Sequence, residues 1–105
     1  MTTVAVLGAG SWGTTLANLL AGKGETVRLW AHEPEVVDAV NRTHENPLFL
    51  PGVRLSPDLR TFSDPQEAVN GAGVIVSAPP SHVTRAVVDR VREAVAPRVL
   101  VVSAT

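Results

Sequence analysis

The chain alternates between short, continuously apolar runs and longer segments with helical periodicity. Val4-Ala5-Val6-Leu7, Val74-Ile75-Val76 and Val99-Leu100-Val101-Val102 are the runs, and Thr26-Val27-Arg28-Leu29-Trp30 reads as a further strand. Runs of this kind, stopped by glycine or proline, suit strands buried on both faces of a parallel sheet. Leu59 to Phe62 predicts a further short strand. From Trp12 to about Lys23 the period becomes helical. Leu16, Leu19 and Leu20 form one stripe, and Gly13, Ala17 and Ala21 form a second, of small residues that let a helix sit close to a neighbouring backbone. Gly22 and Gly24 end that helix. Pro34 starts another, with Val36, Val37 and Val40 on its apolar face up to about Arg42. Asp64-Pro65-Gln66-Glu67 is a helix start with a capping Asp, Pro at the first position and Glu at the third. Ser81 caps a last helix carrying Val83, Val87, Val91 and Ala94, which Pro97 closes.

The resulting order, β-α-β-α-(β)-α-β-α-β with short connections, predicts an α/β fold: a Rossmann-type doubly wound parallel sheet with helices on both faces. With 105 residues, this is one domain. Charge changes the picture mainly by exclusion. Nine Lys+Arg against ten Asp+Glu leave a net charge of -1, so the basic footprint of a nucleic-acid binder is missing. Zero cysteines exclude a disulfide scaffold, a thiolate metal site and a Cys nucleophile. No apolar run approaches the ~18–20 residues that span a bilayer, and no charged leader precedes the first strand. The expectation is a soluble, cytoplasmic protein with no membrane insertion.

Gly8-Ala9-Gly10-Ser11-Trp12-Gly13 carries the chemistry. A bare G-x-G-x-x-G is a weak pattern, but here it follows a buried strand and opens a helix, the context that makes it a dinucleotide site. Gly8 makes the tight turn, Gly10 lets backbone approach a pyrophosphate, and Gly13 permits close helix–strand packing. Free amides and the positive end of the helix dipole then face the phosphates. The same fingerprint expects an acidic residue about 20 positions further on to meet the ribose hydroxyls, and Glu33 is there, beside His32. A carboxylate at ~4 Å from a phosphate charge costs roughly 4 kcal/mol at an effective dielectric of ~20, which favours NAD. A protonated His32 favours the 2′-phosphate of NADP instead. Glu33 could equally cap the helix that Pro34 starts, so the choice between NAD and NADP stays open.

No catalytic set emerges. His32, His44 and His82 lie in different segments without metal-ligand spacing, and Ser77 and Ser81 have no identifiable base, so neither catalytic nor metal residues are expected. His44 reads as solvated surface. Trp12 fits either packing or the wall of a ligand cleft.

Val6 through Gly8, Gly10 and Gly13 to Ala17 resembles the opening of the NAD(P)-dependent glycerol-3-phosphate dehydrogenase family, in its amino-terminal domain. Leu29-Trp30-Ala31-His32, the stretch from Asn41 through Asn46 to Phe49-Leu50-Pro51-Gly52, Pro80-Ser81-His82 and Val102-Ser103-Ala104-Thr105 are similar too. The Asn41 to Gly52 stretch is more discriminating than the glycines. The resemblance implies that Ser11 and Trp12 contact the cofactor phosphates and adjoining groups, and that His32 and Glu33 flank the adenosine ribose. It places Phe49 where the family has an aromatic residue near the cofactor, often tyrosine, and the loop at Pro79-Pro80 beside the nicotinamide. Position 33 is often basic in NADP-using members, so Glu33 departs from them. The family continues from Ser-Ala-Thr into a Lys-Gly, with its catalytic lysine in a helical second domain. The implied whole enzyme takes a small phosphorylated substrate, interconverting sn-glycerol 3-phosphate and dihydroxyacetone phosphate in glycerophospholipid metabolism. Residues 1–105 are then expected to bind cofactor without turnover, as part of a longer two-domain protein. A hydroxyacid or ketopantoate-type dehydrogenase shares the glycine turn but leaves Asn46 to Gly52 unexplained, and a stand-alone dinucleotide sensor is a third reading. Without a second domain the Val99–Val102 strand becomes a sheet edge, so self-association, for instance as a homodimer, is expected.

Overall fold

The structure, a computed structural model, describes residues 3–77, 85–87, 89–91 and 99–103. Its elements follow the order β1 (Thr3–Leu7), α1 (Ser11–Gly22), β2 (Thr26–Trp30), α2 (Pro34–Thr43), β3 (Arg60–Phe62), α3 (Pro65–Val69), β4 (Val74–Ser77) and β5 (Leu100–Ser103). Residues 85–87 and 89–91 are helical. The strands form one sheet in the order β3-β2-β1-β4-β5, and every pairing is parallel. This is the strand order of the doubly wound nucleotide-binding fold. Its topological switch lies between β1 and β4, where the chain leaves one half of the sheet for the other.

Strand pleating divides the apolar side chains between two cores. Val4 and Val6 of β1, Val27 and Leu29 of β2 and Val76 of β4 pack on one face with Ala17 and Ala21 of α1 and Val36 and Val40 of α2. Ala5 and Leu7, Trp30 and Ile75 point to the other face, against Ala68 and Val69 of α3 and against Val87 and Val91. Register keeps the sets aligned: Val6 lies beside Leu29 and Val76, and Leu7 beside Trp30. Burial from both sides explains why the sequence reads at β1 and β4 as unbroken apolar runs.

On α1 the buried residues are Gly13, Thr14, Ala17 and Ala21. The small-residue stripe therefore faces the sheet, while Leu16 and Leu20 are only partly buried and Leu19 is 57% exposed. A helix that sits this close to its strand leaves no depth for a leucine between them, which turns the leucine stripe outward. Asp64 caps α3 as expected, its Oδ1 accepting from the Gln66 amide at 2.9 Å. At the other end of α3, Arg28 of β2 donates to the carbonyls of Asn70 and, at 3.2 Å, of Glu67. That guanidinium satisfies terminal carbonyls that the helix itself leaves unpaired. Ser81 and Pro97, the expected ends of the last helix, lie outside the described residues.

Candidate functional site

Backbone geometry separates the demands on the three glycines that follow β1. Gly8 has φ 114°, a conformation open to glycine and strained for other residues. Its amide donates to the Trp30 carbonyl at 3.0 Å, fastening the start of the turn to the end of β2. Gly13 is buried on the face of α1 that meets the sheet. Gly10 differs from both. It is the N-cap of α1 with φ -68° and ψ -175°, ordinary extended backbone, and a Cβ built there meets nothing within 4 Å. Neither strain nor protein packing asks for a glycine at position 10. The space beside it is open, in the place where a phosphate would need to touch main chain.

The first turn of α1 supplies donors to that space. The amides of Ser11, Trp12 and Gly13 precede the first intrahelical bond, Thr14 amide to Gly10 carbonyl at 2.9 Å. Among the described residues no side chain caps them, and no acidic residue occupies the first turn. The helix dipole there is unneutralised and favours an anion. Ser11 is exposed. Trp12 is 45% exposed, which removes core packing as the account of its indole.

The turn is held from below by a buried polar network. Asn46 is fully buried. Its Nδ2 donates to the Ala9 carbonyl at 2.9 Å and to Thr14 Oγ1 at 2.9 Å, and its Oδ1 accepts from the Phe49 amide at 3.1 Å. Thr14, also fully buried, donates its hydroxyl to the same Ala9 carbonyl at 3.1 Å. Every polar atom of the Asn46 side chain is used, as a buried amide requires. The Ala9 carbonyl, between the first two glycines, thereby accepts two bonds that fix the turn against α1 and the segment after α2. That segment is tied further by the Leu50 amide to the Asn46 carbonyl at 3.0 Å and by the Ser56 amide to Asn18 of α1 at 2.7 Å. Phe49, on the same short loop, is 39% exposed and Leu48 is 52% exposed. Sequence reasoning had the Asn46 segment only as a resemblance. The available signal was an asparagine among turn residues three positions before an aromatic.

His32 and Glu33 follow the end of β2. His32 is exposed, its ring centroid 6.2 Å from that of Trp30. Glu33 takes the N-cap position of α2 by backbone, but its carboxylate makes no capping bond. The helix-capping alternative for that side chain is therefore set aside, and the carboxylate is left for another partner. The Gly8–Trp30 hydrogen bond joins this corner to the glycine turn. Pro80 lies outside the described residues. His44 differs from its expected solvated setting. It ends α2 in the left-handed region, φ 58°, and is half-buried, because its carbonyl accepts from the Leu55 amide at 2.8 Å and draws the following chain back over it. Among the described residues no group of three or more His, Cys, Asp or Glu could hold a metal, and no helix is long and apolar enough to cross a membrane.

Over residues 3–105 the chain matches the family described as the N-terminus of NAD-dependent glycerol-3-phosphate dehydrogenase. A glycerol-3-phosphate dehydrogenase (NAD(P)+) of Nitratidesulfovibrio vulgaris strain DP4 is 51% identical over 102 residues, 97% of this chain and 31% of the relative. The crystal structure of a glycerol-3-phosphate dehydrogenase from Coxiella burnetii superposes with a TM-score of 0.88 at 33% identity, covering 99% of this chain and 32% of that one. A ketopantoate reductase from Ralstonia eutropha JMP134 is similar less closely, with a TM-score of 0.75 at 30% identity over 95% of this chain and 33% of that one. The chain spans about a third of the length of the curated relatives it matches.

Proposed function

The chain belongs to the family of NAD-dependent glycerol-3-phosphate dehydrogenases, as an N-terminal domain, and from that premise we propose that residues 1–105 hold the dinucleotide of a two-domain enzyme interconverting sn-glycerol 3-phosphate and dihydroxyacetone phosphate. The observation that carries this reading is Gly10: relaxed backbone and an open position where a Cβ would stand. A protein keeps such a glycine without strain or packing cause when something from outside must approach the main chain. In the proposed complex the amides of Ser11, Trp12 and Gly13 receive the pyrophosphate, with Gly8 shaping the turn and the Trp12 indole flanking the phosphates. Glu33 and His32 flank the adenosine ribose, Phe49 offers an aromatic face without the phenolic hydroxyl, and Pro80 lies toward the nicotinamide. When bound, the nicotinamide carries the hydride, while the chain binds and orients it. The glycerol 3-phosphate chemistry is assigned to the whole enzyme, and its proposed compartment is the cytoplasm.

A ligand that binds only the folded state raises the melting temperature. At a concentration ~100 times Kd the gain is about 2.7 kcal/mol. For a domain near 100 residues that corresponds to an upward shift of roughly 10 °C or more. Differential scanning fluorimetry with NADH and with NADPH reads it. No shift with either at millimolar concentration contradicts the proposal.

The same reading includes self-association of the isolated chain. β5 is the last strand at its end of the sheet among the described residues, with Val102 40% exposed. An unpaired edge together with exposed Leu48 and Phe49 favours contact between copies. Light scattering is expected to give a mass above the 11.0 kDa of one chain as concentration rises. A strict monomer throughout contradicts the expectation.

A further inference from the structure

A cavity of about 490 Å³ opens on the second face of the sheet, between Trp30 and His32 at the end of β2, Asp64 and Pro65 at the start of α3, and Val87 and Arg90. Its volume falls within the ~300–1,000 Å³ of small-molecule sites. The walls offered by Trp30, Pro65 and Val87 are apolar, the charged groups on its lining are Arg90 and Asp64, and the His32 imidazole lies beside them. Asp64 already spends one carboxylate oxygen on the Gln66 amide. Arg90 is exposed, and among the described residues no carboxylate pairs with it. A guanidinium presents a planar fork of donors that matches a phosphate and cannot be deprotonated.

We propose that Arg90 is a specificity-determining residue that draws the 2′-phosphorylated dinucleotide to this cavity, against the preference that Glu33 sets. The inference rests on the dinucleotide reading above. Glu33 and His32 stand next to each other at the end of β2, and His32 also lines the cavity, so a ribose held there lies at the cavity's mouth. Glu33 repels a 2′-phosphate, whereas the Arg90 fork pairs with it in two charge-assisted hydrogen bonds. The apolar walls take the adenine ring. In the proposed site these two opposed charges set the balance between the cofactors, with Arg90 moving it toward NADP.

Calorimetric titration of the wild-type chain and of Arg90→Gln with NADH, NADPH, ADP and adenosine 2′,5′-bisphosphate tests this. Loss of a charge-assisted pair is expected to lower the NADPH-to-NADH affinity ratio about tenfold, with the bisphosphate-to-ADP ratio falling alongside it. Arg90→Lys, which keeps the charge and loses the fork, is expected to recover part of both ratios. Unchanged ratios in Arg90→Gln overturn the role of Arg90 and leave the dinucleotide site standing, since NADH still binds. A wild-type chain that binds none of the four probes overturns the dinucleotide reading itself.

Discussion

Replacing Gly10 with valine is expected to lower dinucleotide affinity at least about a hundredfold while the fold survives. The two effects separate because the structure separates their causes. At φ -68° and ψ -175° a valine needs no strained backbone, and its Cβ meets no protein atom within 4 Å. The cost to folding is that of an unfavourable residue at a helix N-cap, about 1 kcal/mol, or roughly 4–8 °C in melting temperature for a domain of this size. The new methyl groups occupy the space through which a pyrophosphate must reach the amides of the first turn. Circular dichroism melts paired with calorimetric titration read both. Retained affinity in a folded Gly10→Val chain removes the argument from backbone approach.

Asn46→Ala is expected to produce a large loss of stability. The side chain is fully buried and makes three hydrogen bonds, to the Ala9 carbonyl, Thr14 Oγ1 and the Phe49 amide. Alanine leaves a cavity and strips the Phe49 amide of its acceptor. Unsatisfied buried groups cost about 1–3 kcal/mol each, so a total of roughly 2–4 kcal/mol follows, or a melting temperature lower by about 10–20 °C. Affinity for NADH is expected to fall as well, because the Ala9 carbonyl keeps only its Thr14 bond and the turn that presents Gly10 and Ser11 loosens. Thermal melts followed by titration below the transition check both. A drop under about 3 °C contradicts the structural weight given to this network.

Much of the fold was legible because a doubly wound sheet writes itself plainly. Its central strands must be apolar on both faces, so β1 and β4 stand out from the segments between them. Caps worked where a side chain does the capping, as at Asp64. What escaped the sequence depends on three-dimensional closure. Leu19 carries the pattern of a core position, yet the small stripe of Ala17 and Ala21 wins the sheet by allowing closer approach. Asn46 lies among turn residues that ordinarily face water, and only the fold-back of residues 44–56 onto α1 buries it. His44 is half-buried for the same reason. The glycine turn was readable because its spacing and its place between strand and helix are local. The cavity at Arg90 was not, because its walls come from the end of β2, the start of α3, and Ala86, Val87, Arg90 and Val91, far apart along the chain.

An amide-resolved NMR titration with NADH tests most directly whether the main chain after β1 receives a pyrophosphate. The expected result is that the largest shifts fall on the amides of Gly10, Ser11, Trp12 and Gly13. Saturable binding whose shifts spare these four amides would contradict it.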